Sequence, residues 1–423
     1  QINVLSKSDM EKLIITKEGR HIINLHDDTH RVWCEYDKNN PKGLLIKFFL
    51  GQGLEHWSPK TIKEIGCGGS ETWAAMQAIE LSKFDNQCII YAMDNDVWDG
   101  VLYRDFTKFT PETNPCNLFI SSRIPEIFDN NIQSEQKWLW VHDISCFQRL
   151  TPDLASKVDA IVGLSKWHID FMKRTYPFLK DCEVIDFDNH DKTYDDLWTP
   201  QVYYADEKCS KLPKMAIIGN GIDLSRFEGK VEKVKNSFIW CSSPDRGLEE
   251  LLNIWKILKK ELPDATLKIY YGWNYFDHTL GIAAQREFKE RIKALLKQDG
   301  VTWCNRVGQD ELAKEMMKAE CLIYPPHDFR ETFGITFLEA QAAGVVCFYR
   351  QNGALGETIG KRGFPLSMNS TPSEIVQIIS DNQQNRNGCD RLRKEARDYA
   401  ISKDWTKQAN KILQLYSEIK NAK

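Results

Sequence analysis

Short apolar runs alternate along the chain with glycine turns and amphipathic stretches of helical period. The run GLLIKFFLG (43–51) reads as a strand, the turn GCGG (66–69) follows, and SETWAAMQAIELS (70–82) reads as a helix. The runs QCIIYA (87–92), WLWVHD (138–143) and DAIVGLS (159–165) predict further strands, with a helix over 166–175. The pattern restarts at KMAIIGNGID (214–223). NSFIWCSS (236–243) and ATLKIYYG (265–272) read as strands around LEELLNIWKILKK (248–260), whose Leu248, Leu251, Leu252, Trp255 and Leu258 share one helical face. ELAKEMMKA (311–319), ECLIYPP (320–326), TFLEAQAAG (336–344) and VVCFY (345–349) continue as helix, strand, helix, strand, with Gly344 as C-cap. The stretch from about 390 to the end is helical and charged. Strands alternating with helices predict an α/β protein with parallel sheets.

The polar stretch ADEKCSKLPK (205–214) divides the pattern into a first unit over 1–213 and a second over 214–400, with a terminal helix over 401–423. Residues 1–40 show no clear period. Six aspartates at 181, 186, 188, 191, 195 and 196 mark an acidic insertion near 181–210. They lack the spacing of an EF-hand and are expected to form a solvated loop.

Composition narrows the class. Of 423 residues, 42% are apolar and 27% charged, which excludes a disordered, collagen-like or coiled-coil chain. Lys and Arg total 56 against 60 Asp and Glu, a net charge of −4, so no global field favours nucleic acid. No apolar run approaches the length of a membrane helix, and no basic-then-apolar leader opens the sequence. The chain begins at Gln1, as a processed protein or a piece of a longer one would. Twelve cysteines are scattered singly without a CxxC pair, and Cys88, Cys321 and Cys347 sit inside apolar runs. Reduced, buried thiols in a cytoplasmic protein are the expectation.

The segment YPPHDFRETFGITFLEAQAAG (324–344) carries the most chemistry. A strand ends at Tyr324 and a helix starts near Ile335, so the loop between them lies at the carboxyl edge of a parallel sheet, where ligands bind. The unpaired N–H groups from Phe333 to Thr336 suit a phosphate. Glu331 and Glu339, with seven residues between them, can accept hydrogen bonds from sugar hydroxyls. By pattern alone, Thr336 and Glu339 also form a capping box, and Glu331 also reads as a solvated acid.

This segment resembles the Glu–seven residues–Glu signature of the family-4 retaining glycosyltransferases, including Phe333-Gly334, Leu338-Glu339-Ala340 and Ala343-Gly344. IGNGIDLSRF (218–227), SSPDRGLEELL (242–252), VGQDELAKEMMKAECLIYP (307–325), GCGGSE (66–71) and GLSKWH (163–168) resemble further family segments in the family's order. The resemblance implies the GT-B fold, two Rossmann-like domains facing each other across a cleft. It implies a nucleotide-sugar donor (a GDP- or UDP-hexose), a glycan or glycoconjugate acceptor, retention of anomeric configuration, and no required metal or cofactor. It assigns the nucleotide ribose to Glu339, the donor sugar to Glu331 and His142, and the diphosphate to Gly68, Gly69, Ser243 and Arg246. It puts Arg306 and Val307 near the base, and the backbone of Phe333, Gly334 and Ile335 on sugar hydroxyls or phosphate. The terminal helix is expected to pack back on the first domain.

One departure stands out. Family members carry a Lys before the glycine at 247 and an Arg some residues earlier. Here Arg246 replaces the Lys, and Cys241, Ser242 and Ser243 occupy the earlier stretch. Lys166 and Arg306 are the candidates for the second positive charge. Two other readings remain open: a non-catalytic nucleotide- or carbohydrate-binding protein on the same fold, and a metal-dependent transferase using Asp94 and Asp96. Trp57, Trp98 and Trp273 are candidates for stacking on sugars.

Overall fold

The computed structural model describes residues 43–53, 56–93, 95–111, 115–190, 198–273 and 283–422, together with a two-stranded ribbon of Ile14–Ile15 and His21–Ile22. Asp94 lies outside the described residues, as do 191–197 of the acidic insertion.

Two sheets organise the rest. The first has nine strands in the order Val184–Asp186, Lys214–Ile217, Ala160–Gly163, Ser134–Trp140, Cys116–Ser122, Leu45–Phe49, Gln87–Ala92, Val101–Asp105 and Asp96–Trp98. All neighbours pair in parallel except the edge strand Asp96–Trp98. The second has six parallel strands: Val301–Trp303, Thr266–Ile269, Ser237–Trp240, Cys321–Tyr324, Val346–Arg350 and Phe364–Leu366. The central strands of both sheets are buried along almost their whole length, as sheets covered by helices on both faces require. The architecture is α/β with two Rossmann-like units, the GT-B fold.

Lys214–Ile217 departs from the division expected at residue 214. This strand pairs with Ala160–Gly163, so it closes the first sheet rather than opening the second. Its short apolar run fits either sheet, and the polar stretch before it is a surface connection inside the first unit. The second sheet begins at Ser237.

The acidic insertion also differs from a solvated loop. Val184–Asp186 is an edge strand on Lys214–Ile217, and Asp188 is gripped by Lys403 and Lys411 at 2.6 and 2.7 Å. Burial raises its pKa, but the two ammonium groups prevail and lower it to about 2. The helix Trp405–Asn421, which follows this contact, packs on Gly69–Ser82 of the first unit. Thr406 donates to Glu80 at 2.8 Å, and Gln136 donates to the Tyr416 carbonyl at 2.7 Å. Gly221 makes the approach possible, because a Cβ there would lie 2.6 Å from the Trp405 ring.

Two strands escape a search by apolar runs. Val101–Asp105 and Cys116–Ser122 carry charged or polar residues at their ends. Trp57 belongs to the core at 2% exposure, which removes it from the sugar-stacking candidates. Trp273 stacks on Trp303 at 4.8 Å, and Trp98 lies on the edge strand. Cys88, Cys321 and Cys347 are free and buried, and burial raises each thiol's pKa.

Candidate functional site

A cleft of about 670 Å³ lies between the two sheets at their carboxyl edges. It gathers Gly68, Gly69, His142, Ser243, Arg246, Arg306, Val307, Glu331, Phe333, Gly334, Ile335 and Glu339, which the resemblance assigns to the donor and the reaction, but not Lys166 or Asp96.

The second-sheet wall is built on the strand ending at Tyr324 and the helix Ile335–Ala342. Gly334 adopts the left-handed conformation (φ 83°) as its N-cap, and a Cβ there would meet Phe337 at 2.7 Å and Leu355 at 2.9 Å. Only glycine turns the chain here without strain. No side chain caps this helix, so its first N–H groups stay available to the cleft. Thr336 donates instead to the Cys241 carbonyl at 3.5 Å, which removes the capping-box reading.

Both signature carboxylates are buried and each has a guanidinium partner. Glu331 accepts from Arg246 at 3.2 Å and from the Tyr324 hydroxyl at 2.7 Å. Glu339 accepts from Arg226 at 2.9 Å. Arg246 lies over the Phe329 ring at 4.4 Å, and although burial opposes its charge, Glu331 raises its pKa further. The fully buried Arg350 underpins this wall. It donates to the Arg246 carbonyl at 2.8 Å and the Pro325 carbonyl at 3.3 Å, and stacks 3.8 Å over Tyr324. One guanidinium thus ties together the loop carrying Glu331 and the turn carrying Arg246.

The first-sheet wall is built differently. Its helix Gly69–Ser82 starts at Gly68 with no side-chain cap, so another set of N–H groups faces the cleft. A Cβ on Gly69 would come 3.7 Å from Ile335 across the cleft, and one on Gly66 would come 3.2 Å from the Val307 carbonyl. His142 follows the strand Ser134–Trp140. It packs edge-on against Trp73 at 4.6 Å, and its Nε2 is buried with no hydrogen-bond partner. Burial, then Arg123 and His168, push its pKa well below the usual imidazole value, so it is neutral at pH 7. A neutral imidazole beside a cleft can exchange hydrogen bonds with a hydroxyl.

The walls touch beside the cleft. Thr332 donates to the His142 carbonyl at 2.8 Å, Ser165 donates to the Thr332 carbonyl at 2.8 Å, and Glu357 accepts from the N–H groups of Lys166 and Trp167.

Lys166 is not a cleft cation. Its ammonium pairs with Asp170 at 2.8 Å. The sequence reading missed Arg123, Arg330 and Asn220, all of which line the cleft. Arg123 bonds Asp143 at 3.1 Å and lies 3.7 Å from Glu71. It also missed Arg226, whose place beside Glu339 was foreshadowed only by its position after IGNGIDLS. Asp96 lies on an edge strand, where it accepts from its neighbour's N–H at 2.7 Å. Among the described residues, no group of three or more His, Cys, Asp or Glu could hold a metal ion.

Comparison with known proteins bears on the fold and the family. Residues 215–399 match the family model Glycosyl transferases group 1. No curated protein matches the chain. Among solved structures, sucrose-phosphate synthase from Thermosynechococcus elongatus superposes with a TM-score of 0.63 at 13% identity, over 90% of this chain and 100% of that one. A glycosyltransferase from Rickettsia africae gives 0.60 at 14% identity, over 89% and 98%. The Anabaena protein HepE, solved with UDP and glucose, gives 0.59 at 13% identity, over 88% and 100%. Residues 215–399 are thus similar to the glycosyl transferases group 1 family, on a chain whose two sheets make the GT-B fold.

Proposed function

We propose that this protein is a retaining glycosyltransferase that moves a hexose from a nucleoside-diphosphate sugar to a hydroxyl of a glycan or glycoconjugate. The observation that carries the reading is the pair Glu331 and Glu339, each buried beside a guanidinium on one wall, with neutral His142 opposite. The UDP and glucose bound by HepE favour a uridine donor, with GDP-hexoses as the alternative.

In this reading Glu339 accepts hydrogen bonds from the ribose hydroxyls. The glycine loop and Ser243 border the diphosphate, and Arg306 and Val307 the base. Arg246 and the N–H groups at Phe333 to Ile335 neutralise the leaving diphosphate without a metal. Arg246 must then turn from Glu331 toward phosphate, releasing that carboxylate to the donor sugar. His142 holds a sugar hydroxyl. The C–O bond to the diphosphate breaks as the acceptor oxygen attacks from the same face, and a donor phosphate oxygen takes the acceptor proton. The anomeric configuration is retained.

Glu331→Ala tests this directly. Its kcat should fall at least about 100-fold with nucleotide affinity nearly unchanged. Turnover at the wild-type rate would remove Glu331 from the chemistry. Tight donor binding without any turnover in the wild type would favour a non-catalytic binding protein.

A further inference from the structure

Phe147 is a large aromatic residue at 50% exposure in the lining of the cleft. Its backbone is left-handed (φ 51°), a conformation that bulky residues rarely adopt. The surrounding chain enforces it. The Phe147 N–H donates to Ser145 at 3.2 Å, its carbonyl accepts from the Tyr176 hydroxyl at 2.7 Å, and the next carbonyl accepts from Tyr204 at 2.6 Å. A strained turn clamped on both sides, which turns an aromatic ring outward rather than inward, marks a binding surface.

The neighbours indicate what is bound. Ile144 and Trp198 extend the apolar surface along the same cleft. Trp198 stacks on Phe171 at 4.9 Å, which stacks in turn on Trp167 at 5.2 Å, and Arg330 lies 4.3 Å over the Trp198 ring. Asp143 and Arg123 border the ledge with polar groups. The ledge is five residues along the chain from His142, and the Arg330 beside it precedes Glu331. An aromatic face edged by a carboxylate and two guanidinium groups matches a pyranose ring, which has one apolar C–H face and a rim of hydroxyls.

We infer that Phe147, Ile144 and Trp198 form the acceptor subsite, and that the acceptor presents a pyranose ring stacked on Phe147. This rests on the glycosyltransferase reading, and the test separates the two. Saturation-transfer NMR would be run with methyl glycosides of glucose, galactose, mannose and N-acetylglucosamine, and with ringless glycerol, in the presence of UDP or GDP. The wild type should transfer saturation to the C–H face of at least one glycoside and not to glycerol. Phe147→Asn suits the left-handed turn and should fold at least as well, yet lower that signal about fivefold. Phe147→Trp should keep it. UDP or GDP affinity should be the same in all three proteins. Binding of nucleotide with no signal from any glycoside, or an undiminished signal in Phe147→Asn, would overturn the subsite and leave the donor reading standing. No binding of either nucleotide would overturn both.

Discussion

The two walls of the cleft hold their polar groups in opposite ways. On the second-sheet wall Glu331 and Glu339 are each satisfied by an arginine, and Arg350 ties the loops beneath them. On the first-sheet wall the helix at Gly69 begins without a side-chain cap, and His142 leaves a buried nitrogen unpartnered. Both walls present an uncapped helix start, but one adds a preassembled charge array to it and the other a neutral imidazole and an apolar ledge. Buried carboxylates need partners before the ligand arrives, because an unpaired buried charge is costly. Neutral groups and backbone N–H groups tolerate waiting. The contrast fits a division of labour, with the donor's charge and ribose held by one wall, while the other approaches the diphosphate through glycine and offers its ledge to the acceptor.

That contrast can be broken residue by residue. The largest effect is expected at Arg246, where charge is met head-on. Arg246→Ala should lower kcat/KM by about 1,000-fold, measured at saturating acceptor. A loss below about threefold would mean that the diphosphate is neutralised elsewhere.

Next comes acid stability of the first unit, behind its wall. Burial lowers the pKa of His168 to about 4 against an ordinary 6.5. Below pH 6.5 the unfolded chain takes up this proton while the folded chain does not. Stability present above pH 6.5 should therefore be lost progressively down to pH 4, by about 3 kcal/mol for this group. Urea unfolding across that range measures it, and His168→Gln should flatten the slope.

Gly334→Ala should cost about 2 kcal/mol in the same unfolding measurement, from left-handed backbone and the clash with Phe337. Smallest is Gly69→Ala, the cleanest probe of the open wall. Its added Cβ meets only ordinary contact with Ile335, so Tm should hold. If the diphosphate passes close by, donor affinity should nevertheless fall about tenfold.

The same contrast explains what the sequence made legible. Glu331, Gly334 and Glu339 occupy a single loop and helix, so their spacing along the chain is nearly their spacing in space. The second wall could be read from one segment. The first wall is assembled from the ends of separate strands, and Arg123 and Phe147 owe their roles to left-handed backbone that no local pattern announces. Lys214–Ile217 was misplaced for a related reason: an apolar run of that length states that it is a strand but not which sheet receives it. Lys166 looked available because charge is visible in sequence, whereas its pairing with Asp170 one turn along competes with any ligand. Trp57 and Trp198 show the same limit for aromatic residues, since composition does not distinguish a core ring from a cleft ring.

The most direct test of a nucleotide-sugar site on the second wall is calorimetric titration of UDP and GDP, each with EDTA, into wild type and Glu339→Ala. Binding of one nucleotide that persists in EDTA and weakens at least about tenfold in Glu339→Ala is the expected result. Binding of equal strength in the two proteins, or binding abolished by EDTA, would contradict the assignment of Glu339 to the ribose or the metal-free neutralisation of the diphosphate, respectively.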